Sequence, residues 1–287
     1  MNIFGNPFLL MALWASLLAS VSSGVIGSYV VVRRISFIAG GVTHSVLGGM
    51  GLCLWLQRTW GLKWAHPMLG AIAAAIGSAL LLGWVHLRFR QREDSLIAAI
   101  WSTGMAMGVI FISLTPGSTG ELMNFLFGNI LWVTPTDLLS LLALDLLVLL
   151  SVGIYYRPFL SLCFDEEQAR LRKIPVQRLY FLLLCLVAIS TVLLIQIIGT
   201  VLVLTLLTIP ATIAALFTSR LKTMMLLATA FSAALSLIGL EISYTCNWPP
   251  GATIALVTTI FYMAALPLKG KYLLHKSGNS APLKSKG

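Results

Sequence analysis

Residues 179 to 219 form an unbroken stretch of 41 residues without a charged side chain. A membrane-spanning helix needs about 20 apolar residues, so this stretch alone is long enough to cross a bilayer twice. Similar runs recur along the chain, and only 10% of its 287 residues are charged, whereas soluble domains carry about 25%. The sequence therefore predicts an all-α, polytopic transmembrane helical bundle.

The apolar runs predict nine spans, at 8–32, 36–57, 66–87, 95–114, 136–156, 177–197, 200–217, 223–241 and 251–268. Two of them are expected to meet near Gly199. The alternative is that 198–217 is a re-entrant piece, which would leave eight spans. The N-terminus has no basic region and no small-residue cleavage site, so the first run is interpreted as a retained span. In the connection 115–135, the apolar part FLFGNILW predicts a short helix at the surface or dipping into the membrane.

The basic residues fall almost entirely on one side of the predicted topology. Seventeen of the 19 lysines and arginines lie there, and only Arg58 and Lys63 lie on the other side. The positive-inside rule makes the basic side cytoplasmic, with the N-terminus outside and the C-terminus inside. The net charge of +10 thus indicates topology, and no nucleic-acid partner is expected. Residues 1–270 are interpreted as one transmembrane domain, and 271–287 as a basic, disordered cytoplasmic tail.

Motifs for catalysis are missing from the sequence. The only Gly-Lys pair, Gly270–Lys271, is followed by Tyr272, so the chain lacks a P-loop. His44 is not part of an HExxH motif, which argues against a metalloprotease. The four cysteines are scattered and indicate neither a disulfide framework nor a CxxC site. The chain is predicted not to be an enzyme and to hold no permanent cofactor; any ATP hydrolysis belongs to a separate subunit.

His44 lies in the small-residue stretch SFIAGGVTHSVLGGMG, residues 36–51. On a helix it shares one stripe with Gly40 and Gly48, and the neighbouring stripe carries the small residues Gly41, Ser45 and Gly49. Such stripes let two helices approach closely. Two interpretations stay open at this point: a packing helix whose histidine is hydrogen-bonded to a neighbour, or a metal or proton site facing a pathway.

Three other elements carry charge in unusual places. Asp145 lies near the centre of one span and Glu241 toward the outer end of another. Each carboxyl is as consistent with a hydrogen-bonded acid between helices as with a ligand. The loop FDEEQARLRKIP, residues 164–175, has acids first and bases last, which favours a short surface helix. That helix is either an ordinary connection or a docking site for a soluble partner.

Together, several stretches are similar to a known family. GVIGSYVVVRRISFIAGGVTHSVLGGMG resembles the signature of the permease subunits of zinc/manganese-type metal ABC importers. Five further stretches of this chain resemble later blocks of that family, in the same order: REDSLIAAIWSTGMAMGVIFI, ELMNFLFGNIL, CFDEEQA, IIGTVLVLTLLTIPATIA and SYTCNWPPGATI. The resemblance runs from about residue 5 to 267.

The resemblance implies a permease of the bacterial cytoplasmic membrane. It would pair with a second permease, identical or paralogous, above two cytoplasmic ATP-binding subunits, and an extracytoplasmic metal-binding protein would deliver the ion. His44 would be a pathway ligand, with Thr43, Asp145 and Glu241 as helpers. The residues of the block that would contact the ATPase are Asp165, Glu166, Glu167 and Ala169.

Two positions depart from the family pattern. Many members have an aspartate four residues before the histidine, where this chain has Gly40, so the carboxylate–imidazole pair is absent and the metal is left open. The glycine often seen in the coupling block is Lys173 here.

The function expected from the resemblance is ATP-driven import of a divalent transition metal: zinc or manganese, with iron as a further option. One alternative is a proton-coupled carrier that uses His44, Asp145 and Glu241 as a relay. A second is a permease for metal chelates such as siderophores. Chelates need a wide pathway, whereas the close-packed small-residue stripe suits a bare ion.

Overall fold

The computed structural model describes residues 7–89, 93–116, 125, 126, 128, 130–164, 166–173 and 175–278. Within these residues there are ten α-helices, one 3₁₀ turn at Ile130–Trp132 and no strand. The helices are α1 (Pro7–Val32), α2 (Ser36–Trp60), α3 (Pro67–Phe89), α4 (Glu93–Leu114), α5 (Pro135–Phe164), α6 (Glu166–Leu171), α7 (Val176–Ile198), α8 (Thr200–Phe217), α9 (Leu221–Cys246) and α10 (Pro250–Gly278).

Nine of these helices, all except the short α6, are long and apolar enough to cross a membrane, which confirms the predicted bundle in the described part of the chain. α5 differs from its predicted bounds in that it continues past residue 156 to Phe164. Tyr155 has non-helical torsions (φ −97°, ψ 15°), and Pro158 follows within the helix. A proline inside a helix removes one backbone hydrogen-bond donor and bends the helix. α5 is kinked at this point but does not end there. At the other end of the chain α10 extends to Gly278, and residues 279–287 lie outside the described residues.

α7 and α8 form two spans joined by the single residue Gly199, which has a positive φ of 82°. The Thr200 hydroxyl donates a hydrogen bond to the Leu126 carbonyl (3.3 Å), and Gly128 packs against this junction. Gly199 therefore lies beside the segment that connects α4 to α5. The far end of α8 leads into residues 219–223, which share a cleft with the opposite end of α5. α8 thus runs from one side of the bundle to the other, as a full span does.

α1 lies in the middle of the bundle, in contact with α5, α7, α8 and α9. Gly24 packs on Thr229 of α9, and Gly27 packs on the backbone of Leu207 in α8. At the C-terminal end of α1, Arg33 Nη1 donates to the Leu162 carbonyl of α5 (2.7 Å). This bond holds the end of α5, and with it the start of α6, against the centre of the bundle.

α2 is packed between α3 and α4 through small residues. Gly49 and Gly70 bring the backbones of α2 and α3 into direct contact, and the hydroxyls of Ser45 and Ser78 lie 2.8 Å apart across the same seam. On the side of α4, a Cβ at Gly48 would lie 2.9 Å from the Gly104 carbonyl oxygen. Lipid tails are as apolar as leucine, so this close approach, with the polar contact, is what holds the helices together in a membrane.

Replacing Gly49 with alanine is expected to destabilise the bundle by about 1–3 kcal/mol, because the new methyl group collides with the backbone of Gly70. Gly77→Ala on α3 is the matched control, since nothing lies within 4 Å of a Cβ there. The measurement is thermal unfolding of the purified protein in detergent. Equal melting temperatures for the two variants would contradict the contact between α2 and α3.

Candidate functional site

His44 lies on the face of α2 that meets α4. It is the ninth residue of α2, about 12 Å along the helix from Ser36 at 1.5 Å per residue. The side chain is 9% exposed, and its ring stacks on the indole of Trp101, with centroids 4.2 Å apart and an interplanar angle of 18°. The glycine contacts one turn further along bring α2 and α4 close enough for this stacking.

The Nδ1 atom of His44 is buried and has no hydrogen-bond partner among the described residues. A histidine that serves only to pack helices is expected to hydrogen-bond a neighbour, because an unpaired polar atom in an apolar interior costs about 1–3 kcal/mol. The geometry therefore leaves a nitrogen with no structural function in this conformation. A neutral imidazole nitrogen of this kind can accept a proton or bind a transition metal.

Trp101 also covers the position where the family pattern has an acid. Its Cζ3 atom would lie 3.3 Å from a Cβ at Gly40, one turn before His44. Any larger side chain at Gly40, a carboxylate included, would meet the indole. Glycine at position 40 and tryptophan at position 101 therefore depend on each other, because the indole ring lies beside the space that a carboxylate side chain at position 40 would need.

Trp101 is not among the residues that the sequence predicts to be functional. Ile97, Trp101, Gly104 and Gly108 lie at helical spacing along the face of α4 that contacts α2, and a Cβ at Gly51 would lie 2.9 Å from the Gly108 carbonyl oxygen. A pair of glycines four residues apart is a known sign of a packing face in a membrane helix. Gly104 and Gly108 therefore indicate, from the sequence, the face of α4 that packs on a neighbouring helix. Trp101 lies about one turn before Gly104 on that face.

Thr43 is fully buried, and its hydroxyl donates to the Ala39 carbonyl in the same helix (2.8 Å). Ser45, on the other side of His44, faces α3 through its contact with Ser78. Neighbouring residues on a helix point about 100° apart, so neither hydroxyl shares the face of the His44 ring.

Asp145 and Glu241 are not brought to His44. Asp145 is 4% exposed and lies beside Ser22 of α1, with no partner in hydrogen-bond geometry for either carboxyl oxygen in the described ranges. Its helix, α5, packs on α1 and α7 and makes no extended contact with α2. Glu241 is on the outer surface of α9. Among the described residues no three His, Cys, Asp or Glu side chains cluster in a way that could hold a metal.

The predicted surface helix exists as α6, Glu166–Leu171. Glu167 is exposed and Ala169 is buried in the core, while Asp165 and the side chain of Glu166 lie outside what the structure describes. Lys173 follows the helix with a φ of 58°. Glycine adopts this left-handed conformation without strain, which is a physical reason for the glycine often found in this block.

A cavity of about 230 Å³ lies between α2, α3 and α7, near the loop that follows α2. Its lining includes the thioethers of Met50 and Met68, together with His66 and Gln196. Val46 also lines it, and two residues along a helix correspond to a rotation of about 200°. The cavity therefore opens on the face of α2 that is turned away from His44.

Comparison with known proteins gives a consistent result. The sequence profile of the ABC 3 transport family matches residues 6–269. A "Probable metal transport system membrane protein" of Chlamydia pneumoniae is 48% identical over 92% of this chain and 90% of its own length. "Manganese transport system membrane protein MntC" of Listeria innocua is 34% identical over 90% and 89%. The structure of PsaBC from Streptococcus pneumoniae in complex with Fab is similar with a TM-score of 0.82, 29% identity, and coverage of 96% and 97%.

Replacing His44 with phenylalanine is expected to leave the free energy of unfolding unchanged or to raise it by about 1 kcal/mol. Phenylalanine can still stack on Trp101, and the substitution removes a buried nitrogen that no described residue hydrogen-bonds. The measurement is thermal unfolding in detergent, with the wild-type chain as reference. A marked loss of stability would show that the imidazole nitrogens make structural hydrogen bonds.

Proposed function

The chain belongs to the ABC 3 transport family, and from that premise we propose that it is the permease of an ATP-driven importer of a divalent transition metal, with manganese as the favoured ion. It is a multi-pass protein of the bacterial inner membrane, and the ATPase of such a transporter is on a separate subunit. The observation that carries the proposal is the imidazole of His44, which is buried at intermediate depth and whose Nδ1 has no hydrogen-bond partner in the part of the chain that the structure describes.

His44 acts as a transient ligand for the passing ion. A closed site with four protein ligands holds a metal such as zinc tightly, whereas transport requires release. One imidazole from this chain and one from a second permease, identical or paralogous, give a weak site with open positions. Among the described residues, no group of three His, Cys, Asp or Glu side chains forms a closed site around His44, which fits this requirement.

Trp101 positions the imidazole and closes the site. α4 is an edge helix that contacts α2 and α3, and its indole covers His44 from that edge. In the seam between α2 and α4, glycines of each helix lie against the backbone of the other, as at Gly48, Gly51 and Gly104. A small sliding of α4 along α2 would uncover the imidazole, as in the rigid-body shifts that alternate access in transporters.

Manganese is favoured over zinc and iron because relatives such as MntC of Listeria innocua are named for manganese transport. The ligand itself selects less sharply. Imidazole suits zinc, iron and other first-row metals, and the family's carboxylate, which suits manganese, is replaced by Gly40. An uptake experiment in which manganese, zinc and iron compete determines the order in which the transporter prefers the three ions.

The partners follow from the same proposal. The segment 165–169 contacts the ATPase through Asp165, Glu166 and the exposed Glu167. Ala169, also predicted to be part of this contact, is buried and packs the segment onto the bundle instead. A metal-binding protein docks on the opposite face, on 115–135 and 243–251. The proton-coupled carrier is the weaker candidate. Its relay would need His44, Asp145 and Glu241 in sequence, but these lie on α2, α5 and α9, with Asp145 beside α1 and Glu241 on the outer surface.

Replacing His44 with alanine or phenylalanine is expected to lower the initial rate of metal uptake in cells on the order of ten-fold or more, the equivalent of about 1.4 kcal/mol of lost interaction. Uptake of manganese, zinc and iron is measured with the complete transporter, at matched amounts of permease in the membrane. Glu241→Gln is the control, and its uptake is expected to equal that of the wild type because Glu241 is remote from His44.

Unchanged uptake of all three ions by the phenylalanine variant would remove His44 as a ligand. Loss of uptake in the Glu241 variant, with transport that collapses on addition of a protonophore and persists without the ATPase, would establish the carrier instead.

A further inference from the structure

Two adjoining clefts lie between α5 and α9, at the end of the bundle where α5 passes into α6. The first has a volume of about 650 Å³. One wall consists of Tyr156, Leu160, Ser161 and Phe164, and the other of residues Ser219 to Thr223. The second, of about 590 Å³, opens on the other side of Tyr156 and Lys222, which line both. We refer to the two together as the basic cleft.

The basic cleft is strongly positive. Arg220 lines its first half, Arg157 lines its second half, and Lys222 belongs to both. The ammonium group of Lys222 lies 4.8 Å from the centroid of the Tyr156 ring, which holds this cation between the two halves. No carboxylate is among the described residues that line either half, so the three positive charges have no acidic partner in the cleft.

The kink in α5 forms one wall of the cleft. The helix bends at Tyr155 and Pro158, and Pro158 lacks the N–H that would have bonded the carbonyl of Ile154. On the opposite wall α9 begins at Leu221 without a side-chain cap, so the N–H groups of its first turn add donors to the three cations. An anion is the ligand that this combination of groups recognises.

The surface next to the cleft is apolar. Ile154, Leu150 and Leu146 follow one another at four-residue spacing along α5, and all three are exposed on the outside of a helix that spans the membrane. A ligand that uses both surfaces has an anionic head and a hydrocarbon tail. A free phosphate would leave the apolar stripe unused, and a soluble protein would not reach it inside the bilayer.

We infer that the basic cleft binds the headgroup phosphate of an anionic phospholipid, whose acyl chain runs along Ile154, Leu150 and Leu146. The lipid belongs to the leaflet on the side of α6, which the distribution of basic residues predicts to be cytoplasmic. Basic pockets between membrane helices on that side are known to favour anionic lipids.

The test is native mass spectrometry of the purified full-length chain titrated with phosphatidylglycerol. The triple variant Arg157→Gln, Arg220→Gln, Lys222→Gln is expected to bind this lipid on the order of ten- to a hundred-fold more weakly than the wild type. All three side chains are exposed, so the variant should fold, and its thermal unfolding verifies this. Binding of phosphatidylcholine is expected to be weak and equal in both proteins.

The matched control is Arg88→Gln, Arg172→Gln, Lys173→Gln, which removes the same charge from the same side of the bundle, outside the cleft. It is expected to bind phosphatidylglycerol like the wild type. Equal losses in the two triple variants would overturn the inference in favour of a general charge effect. So would displacement of the lipid by an equal concentration of inorganic phosphate. A cleft variant that keeps its lipid but loses a co-purifying ATPase subunit would overturn it as well, and would identify a protein contact.

Discussion

In a bilayer, apolar side chains gain little by leaving lipid for a helix–helix interface, so the close approach of backbones has to supply the attraction. α2 meets this constraint on two sides, against Gly70 and Ser78 of α3 and against Gly104 of α4. The same closeness places the imidazole of His44 on the indole of Trp101. With larger residues in the seam, the two rings would stand apart and a polar nitrogen would face lipid. The close packing of α2 against α4 therefore also determines the geometry of the candidate metal site.

Much of the architecture could be predicted from the sequence because its causes are local. The length of the apolar runs determines the number of spans, and a charge-free stretch of twice the required length, interrupted by a glycine, identifies α7 and α8. Trp101 was out of reach for a different reason. The glycine pair at 104 and 108 indicates which face of α4 packs, but the stacking of Trp101 on His44 depends on how both helices are rotated about their axes. The placement of Asp145 against α1 also depends on tertiary packing and could not be read from α5 alone.

The end of α5 shows how a local signal can mislead. Tyrosines, an arginine and a proline follow one another at 155–158 and look like the end of a span, yet the helix bends and continues to Phe164. The continuation carries α5 directly to α6, where Arg33 holds it through the Leu162 carbonyl. The bent part of α5 lines the clefts that also contain Arg157, Arg220 and Lys222. The kink in α5 thus lies where the membrane-spanning part of the bundle meets the charged surface at its end.

The indole over His44 has a consequence for the energy balance of the cell. A membrane potential attracts cations inward with about 2.3 kcal/mol per elementary charge for each 100 mV, and a divalent ion feels twice that. A permanently open polar route would let protons and metals leak down this gradient at all times. In the transporter proposed above, the indole that stacks on the imidazole would cover this route between transport events.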